Sequence, residues 1–182
     1  MAYEARNFES LIGCEGLTEN LMRNHFTLYQ GYVKNTNALL ESIATKATGT
    51  PERAELQRRL GWEFNGMRLH ELFFGNLSRN GVGAPPEELR PLLDDFTAIA
   101  SMRGIGWAMM YFDPTSGNML NVWVNEHDAG HLAGCVPLLV LDVFEHAYLN
   151  DYGLRRPDYI AAFMKLIDWN AVNERLLAAR RS

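Results

Sequence analysis

The sequence contains few cysteines and no long apolar run, and each shortage excludes a class of protein. Among its 182 residues there are two cysteines, Cys14 and Cys135, and neither belongs to a Cys-x-x-Cys pair. A disulfide framework of the kind found in small secreted domains is therefore not expected. No run of 18 apolar residues occurs, so no transmembrane helix is predicted. The first six residues are polar and do not resemble a targeting signal, and together these features predict a cytoplasmic protein without a membrane partner.

A surplus of basic residues is also missing. The chain has 17 Lys and Arg against 22 Asp and Glu, which gives a formal net charge of -5. This balance argues against a general nucleic-acid partner and against attraction to an anionic membrane, although a local basic funnel can still attract a small anion. Apolar residues, by contrast, make up 47% of the chain, which is enough for a sizeable core.

Two long helices are predicted in the N-terminal half, because apolar residues recur there at helical spacing. The first follows a candidate N-cap at Thr18 and ends between residues 45 and 49. The second begins at Thr50 and Pro51, a cap residue followed by proline at the first helical position. This second helix is predicted to continue to Leu77.

Residues 78–86 are rich in glycine and proline and form the clearest linker in the chain. We therefore predict an N-terminal α-hairpin domain (residues 1–82) and a C-terminal α/β domain (residues 83–182). The elements predicted in the second domain are a helix at 87–102, a hairpin of strands at 106–112 and 119–124, a third strand at 138–141, and two helices between 156 and 176, with Asp168 as a cap between them.

Asp142 and His146 lie four residues apart in the segment 141–148. If this segment is a helix, both side chains lie on one face and can bind the same ligand. A carboxylate and an imidazole placed in this way can provide two ligands of a metal site. The alternative is that Asp142 caps the helix and His146 is a buried histidine with an ordinary hydrogen-bond partner.

The other histidines bear on this choice. His25 and His70 lie on the apolar faces of the two long helices. Packed against a small sheet, these helices would bring them close to Asp142 and His146, at a domain interface of the kind where metal sites often lie. Three imidazoles and one carboxylate suit a first-row redox metal better than structural zinc. His131, in contrast, is expected to be a loop or surface residue.

Residues 142–148 read D-V-F-E-H-A-Y and residues 155–159 read R-R-P-D-Y. Both stretches are similar to the C-terminal signature of the iron/manganese superoxide dismutases. Three further stretches resemble segments of the same family more loosely, namely Y-V-K-N-T-N at 32–37, the second-helix segment at 64–74 and G-I-G-W-A at 104–108. The resemblance extends over most of the chain, from about residue 18 to residue 176.

The resemblance implies an α+β fold, in which an N-terminal long antiparallel helical hairpin precedes a C-terminal α/β domain with a three-stranded antiparallel sheet. It implies a metal site between the two parts, with one Fe or Mn per subunit bound by His25, His70, Asp142 and His146. The implied activity is that of a superoxide dismutase, which converts superoxide to dioxygen and hydrogen peroxide. The implied assembly is a homodimer or a tetramer.

The resemblance also assigns roles to residues around the metal. Tyr32 matches the tyrosine that gates the substrate funnel, and His127 matches an outer-sphere residue in contact with metal-bound solvent, so both are expected to take part in catalysis. Glu145 matches a residue that pairs with a ligand-helix histidine across the dimer interface. Arg156 matches a basic residue near the funnel.

The chain departs from the family pattern on its first helix. The ligand histidine and the gating tyrosine are usually eight residues apart, with a second histidine between them. Here His25 and Tyr32 are seven apart, and Tyr29 takes the place of the second histidine, near the metal and the expected dimer interface. An ungapped alignment would place Asn24 at the metal, whereas His25 requires a one-residue deletion that a local helix bulge can absorb. Leu149 replaces a tyrosine that crosses the dimer interface in many members.

The sequence leaves the metal and the activity open in two respects. Gly66 occupies the place where iron forms often have Gln, and His127 is not the usual Gln of manganese forms. Iron, manganese or either metal is therefore compatible with the chain. The alternative functions are a non-catalytic or functionally diverged metal-binding relative of the same fold, and another non-haem iron or manganese enzyme.

Overall fold

The computed structural model describes residues 2–181 and has a helical hairpin followed by a small sheet with shorter helices. The long helices are α1 (Glu19–Thr45) and α2 (Pro51–Phe74). The strands are β1 (Trp107–Phe112), β2 (Met119–Val124) and β3 (Val136–Asp142). The shorter helices are α3 (Leu93–Ala100), α4 (Leu149–Tyr152), α5 (Arg156–Leu166) and α6 (Trp169–Ala179). The α+β class predicted from the sequence is confirmed.

Side-chain caps determine where the predicted helices begin. Thr18 and Thr50 each accept a hydrogen bond from the backbone N–H three residues later, which satisfies one free donor of the first turn. Pro51 is the first residue of α2, where a missing N–H costs no hydrogen bond. Asp168 caps α6 in the same way, through hydrogen bonds from two backbone N–H groups. All three predicted caps are confirmed.

The sheet has the strand order β2-β1-β3, and both pairings are antiparallel. The predicted hairpin of β1 and β2 is therefore confirmed. All six residues of β1 are buried, as expected for the central strand. Trp107 is the first residue of β1 and pairs with both Val124 and Asp142. This register places Asp142 beside Trp107, at the end of the sheet where the central strand β1 begins.

Residues 141–148 do not form the helix on which the shared-face argument for Asp142 and His146 depended. Asp142 is the last residue of β3, because its pairing with Trp107 continues the ladder to that point. Phe144 is extended, with φ -65° and ψ 151°, and His146 lies in the single 3₁₀ turn Glu145–Ala147. Asp142 and His146 are therefore close because a strand end is followed by a tight turn, and not because they share a helix face.

The boundaries of other elements also differ from the prediction. Only the second half of the predicted helix at 87–102 is α-helical, and a 3₁₀ turn at Arg90–Leu92 precedes α3. Pro91 has no backbone N–H, so it cannot donate the hydrogen bond that an α-helix would need there. The strand β3 begins at Val136 rather than Leu138, and α2 ends at Phe74 rather than Leu77. The short helix α4 was not predicted.

The helices α2 and α6 pack against β3, and α3 packs against β1 and β2, so one core extends from the hairpin to the sheet. Residues 78–86 are held to the turn between α5 and α6. Val82 N–H donates to Ile167 O at 3.1 Å, and Trp169 N–H donates to Val82 O at 2.8 Å. The division into domains 1–82 and 83–182 stays a prediction. Within residues 2–181, no helix has both the length and the apolar composition needed to cross a membrane.

Candidate metal centre

Four side chains from four separate elements meet where the hairpin contacts the sheet. His25 lies on α1, His70 on α2, Asp142 at the end of β3 and His146 on the 3₁₀ turn that follows. One potential ligand atom of each residue lies within 4.8 Å of the corresponding atom of every other. The structure thus brings together the four residues that the sequence analysis grouped as ligands.

The carboxylate oxygen Oδ2 of Asp142 lies at the centre of this cluster. It is 3.2 Å from His25 Nε2, 3.1 Å from His146 Nε2 and 3.6 Å from His70 Nε2. The side chains of His25, His70 and Asp142 are almost completely buried, whereas that of His146 is 30% exposed. The cluster is therefore closest to solvent at His146.

The tautomer of His70 indicates what the cluster can bind. His70 Nδ1 lies 2.6 Å from the carbonyl oxygen of Gly66, which can only accept a hydrogen bond, so Nδ1 carries the proton. His70 Nε2 then has a free lone pair, and this atom is buried without a hydrogen-bond partner among the residues that the structure describes. A buried lone pair of this kind requires a partner, and a metal cation satisfies it. The donor set of three imidazoles and one carboxylate therefore fits an iron or manganese ion.

Two hydrogen bonds hold the Asp142 side chain and its backbone. Asp142 Oδ1 accepts a hydrogen bond from Phe144 N–H at 2.9 Å, which leaves Oδ2 to face the three histidines. The hydroxyl of Tyr159 donates to the Asp142 carbonyl oxygen at 2.8 Å. No role was predicted for Tyr159 from the sequence, although this residue belongs to the R-R-P-D-Y motif. Groups of this kind orient a metal ligand without touching the metal.

Burial and the carboxylate determine the charges in the cluster. Burial lowers the pKa of His25 and lowers that of His70 well below its usual value, so both rings are neutral. Burial alone would raise the pKa of Asp142, but the positive charge of His146 and the hydrogen bonds from His146 and His25 hold it below its usual range. Burial alone would lower the pKa of His146, but the nearby Asp142 carboxylate raises it above its usual value. A bound cation would displace the His146 proton.

His25, and not its neighbour Asn24, faces the cluster. Asn24 is exposed, whereas His25 is 2% exposed. The helix bulge that was predicted near His25 is absent, because α1 is a regular α-helix from Glu19 to Thr45. Seven residues make about two turns of a regular helix, so the seven-residue spacing places His25 and Tyr32 on one face without a bulge.

Tyr32 and His127 form a hydrogen-bonded pair beside this cluster. Tyr32 Oη lies 2.7 Å from His127 Nε2, and Trp107 Nε1–H donates to His127 Nδ1 at 3.1 Å. The rings of Tyr32 and His70 are stacked, with centroids 5.2 Å apart. Burial raises the pKa of Tyr32 to about 12 and lowers that of His127 to about 4. The hydrogen bond from Trp107 to His127 was not predicted from the sequence.

Gly66 provides the space that the Tyr32 ring occupies. A Cβ atom at position 66 would lie 2.5 Å from Tyr32 Cδ1, closer than side chains approach one another. A glutamine at this position, as iron forms often have, would therefore displace the Tyr32 ring. The carbonyl group of Gly66 also accepts the hydrogen bond that fixes the tautomer of His70.

Tyr29 lies within the protomer, close to His70. Its hydroxyl donates to Glu71 Oε1 at 3.0 Å and accepts from Arg6 N–H at 2.9 Å. Its ring centroid is 6.5 Å from that of His70, and the residue is 1% exposed. Burial raises the pKa of Tyr29 to about 12, so the hydroxyl stays protonated. Tyr29 therefore has its hydrogen-bond partners in its own chain.

Glu145 and Arg156 line one groove on the surface. Glu145 is exposed there, and Tyr148 and Leu154 belong to the same groove. The guanidinium of Arg156 lies over the Tyr148 ring, 5.3 Å from its centroid, and donates to the carbonyl group of Gly104. Arg156 is therefore held against its own chain at the edge of the groove.

Comparisons with known proteins agree with this geometry. The family described as iron/manganese superoxide dismutases, C-terminal domain, matches residues 87–175. The chain is 33% identical to an iron superoxide dismutase of Aquifex pyrophilus, over 92% of this chain and 88% of that protein. It is 36% identical to a manganese superoxide dismutase of Haloarcula marismortui, over 83% of this chain and 80% of that protein. Relatives named for either metal are thus similar to it.

Proposed function

The chain belongs to the iron/manganese superoxide dismutase family, and we propose that it is a superoxide dismutase with one iron or manganese ion per subunit. One observation carries this proposal. The lone pair of His70 Nε2 is buried without a hydrogen-bond partner inside a set of three imidazoles and one carboxylate. Such a set matches the ligand preferences of a first-row redox metal.

The proposed reaction converts two superoxide anions and two protons to one dioxygen and one hydrogen peroxide. His25, His70, Asp142 and His146 would hold the ion, which when bound would supply the one-electron redox chemistry between its 2+ and 3+ states. The carboxylate of Asp142 offsets part of the charge of the ion. The chain itself has to deliver protons, and this is the role that we assign to Tyr32 with His127.

The hydrogen bonds around Tyr32 support this role. Because Trp107 donates to Nδ1 of His127, the proton of the neutral ring is on Nε2, and it is donated to the Tyr32 oxygen. The Tyr32 hydroxyl proton is then available to a different acceptor. A pKa of about 12 keeps this proton on Tyr32 at neutral pH until an acceptor takes it.

We further propose a homodimer formed through the groove that contains Glu145. Apolar side chains are unusually exposed around it: Met102 is 49%, Ile105 47% and Leu154 93% exposed. An exposed apolar patch of this kind is typical of a protein interface. In such a dimer Glu145 of one protomer would pair with the metal centre of the other. A tetramer would need an additional surface.

A cytoplasmic location is also proposed. The two thiols, Cys14 and Cys135, are free, which is usual in reducing compartments. No partner other than superoxide and a second copy of the chain is proposed.

Metal content and superoxide consumption test the function. The purified chain is analysed by mass spectrometry for metals, then loaded with iron or with manganese and assayed for superoxide removal. We expect about one ion per chain and activity with at least one of the two metals. A chain that is isolated without metal and stays inactive after loading with either would contradict the proposal and favour a non-catalytic relative.

A further inference from the structure

His131 forms two short hydrogen bonds, one at each ring nitrogen. Nε2 lies 2.7 Å from the carbonyl oxygen of His127, and Nδ1 lies 2.7 Å from the hydroxyl of Tyr111. A carbonyl oxygen can only accept, so Nε2 carries a proton, which leaves Nδ1 to accept from the Tyr111 hydroxyl. The sequence predicted a loop or surface residue, whereas the structure shows a half-buried ring with partners on both sides.

Tyr111 is a rigid anchor for this ring. It lies on the central strand β1 and is 2% exposed. Burial raises the pKa of the Tyr111 hydroxyl, which therefore stays protonated and can donate to His131. Trp107, four residues earlier on the same strand, donates to the ring of His127. The strand β1 therefore holds His127 at two points, its ring through Trp107 and its carbonyl group through His131.

The ring of His127 is packed between Trp62 and Phe144, with centroids 4.7 and 5.0 Å away, whereas its carbonyl group is held by His131. Asn125, Glu126, Asp128, Ala129 and Gly130 are exposed, and His127 is the buried residue among them. A backbone hydrogen bond within the loop, from Cys135 N–H to Leu132 O at 3.1 Å, lies beyond His131. A rotation of the peptide group after His127 would carry its ring away from Tyr32.

We propose that His131 is a positioning residue, which keeps the ring of His127 at hydrogen-bond distance from Tyr32 by linking the His127 carbonyl group to Tyr111. His131 touches neither the proposed metal ligands nor the substrate, and it acts through His127. The catalytic consequence rests on the proposed function, whereas the positional effect does not depend on it.

Four variants of the full chain separate positioning from general stability. His131→Phe keeps an aromatic ring but removes both hydrogen bonds, and His131→Gln retains one donor and one acceptor. Tyr111→Phe removes the donor to His131. Tyr152→Phe is the matched control, because it removes a tyrosine hydroxyl that donates to the distant Gly16 carbonyl group.

The first readout is the indole N–H of Trp107, observed by NMR in the zinc-loaded chain. Zinc is diamagnetic and accepts imidazole and carboxylate ligands. We expect the indole resonance to shift and its hydrogen-exchange rate to rise by about tenfold in His131→Phe, with a change in the same direction in Tyr111→Phe. His131→Gln and Tyr152→Phe should resemble the wild type.

The second readout is kcat of the iron-loaded or manganese-loaded enzyme, which should fall by roughly tenfold in His131→Phe and recover in His131→Gln. An unchanged indole signal in His131→Phe would overturn the proposal. If His131→Phe does not fold, a Tyr111→Phe variant that cannot be distinguished from Tyr152→Phe would overturn it. The indole readout needs no superoxide, so a wild type without activity would contradict the proposed function and leave this test intact.

Discussion

The hydroxyl of Tyr32 lies 2.7 Å from His127 Nε2, and the hydrogen bond between them has a defined direction. Nδ1 of the His127 ring already accepts from Trp107, and burial lowers the pKa of this histidine to about 4. The ring is therefore neutral near pH 7 with its proton on Nε2, and Tyr32 is the acceptor. This direction leaves Tyr32 as a proton donor at the site.

Tyr32→Phe should lower kcat by at least about tenfold, because a positioned proton donor contributes on this scale or more. We expect a smaller change in kcat/KM, since the variant keeps the ring that shapes the entrance. Steady-state measurements at saturating superoxide test this. Wild-type activity should also decline on the alkaline side as Tyr32 ionises, with a pKa near 12. An unchanged kcat would contradict the role of the hydroxyl.

His25→Ala should abolish metal binding, whereas Asn24→Ala should leave it unchanged. His25 Nε2 lies 3.2 Å from Asp142 Oδ2 inside the cluster, and Asn24 is exposed one residue earlier on the same helix. Metal per chain, measured by mass spectrometry, is expected to fall from about one to near zero only in the first variant. Loss of metal in Asn24→Ala but not in His25→Ala would instead support the ungapped alignment, which places Asn24 at the metal.

Gly66→Ala and Gly31→Ala should change stability in opposite directions, although both glycines lie inside long helices. A Cβ at position 66 collides with the Tyr32 ring, so we expect the free energy of unfolding to fall by about 1–3 kcal/mol. A Cβ at position 31 meets no atom within 4 Å, and alanine there should raise it by up to about 1 kcal/mol. Urea unfolding measures the free energy of unfolding of both variants, and equal changes in the two would contradict the steric argument.

The stability of the metal-free chain should fall in acid partly because of His127. Its folded pKa of about 4 is below the ordinary value of 6.5, so between these values the unfolded chain binds a proton that the folded chain does not. This contribution is fully present above pH 6.5 and is lost as pH falls towards 4. Its size is on the order of 2 kcal/mol, at about 1.4 kcal/mol per unit, reduced for partial solvation.

His127→Gln removes this titration. Denaturant unfolding at pH 7 and pH 4.5 should therefore show a smaller acid loss in the variant than in the wild type. His25 and His70 also have lowered pKa values and remain in both proteins, so the difference between the two chains isolates His127. Equal acid losses would show that the ring is not held in its neutral form.

Leu154→Glu should convert the proposed dimer to a monomer. Leu154 is 93% exposed in the groove beside Glu145, and a charged side chain there would have to lose its hydration when the dimer forms. Leu177→Glu, at an exposed leucine on α6, is the control and should remain dimeric. Light scattering gives the mass directly, and a wild type that is monomeric would reject the interface.

Local chemistry made much of the fold predictable from the sequence. The caps Thr18, Thr50 and Asp168 act over three residues, so their motifs placed three helix starts correctly. The position of Asp142 at the end of β3, in contrast, depends on its pairing with Trp107, which lies 35 residues away in the sequence. Strand pairing between residues so far apart in the sequence cannot be predicted from the local periodicity of apolar residues.

The candidate site was predictable only in part. Histidines on apolar helix faces pointed to His25 and His70, the four-residue spacing pointed to Asp142 and His146, and the family resemblance implied all four as ligands. Hydrogen bonds between distant side chains had no comparable signal. The link from Tyr111 to His131 spans 20 residues, and nothing in either neighbourhood indicates it.

The four proposed ligands come from three stretches of the chain, at residue 25, at residue 70 and at residues 142–146. During synthesis, the helical hairpin leaves the ribosome with two imidazoles and no carboxylate of the site. The third and fourth donors follow more than 70 residues later, and β3 must then join the sheet before Asp142 is in place. All four donors are therefore together only in a nearly complete chain, so metal binding at this site is coupled to the folding of both the hairpin and the sheet.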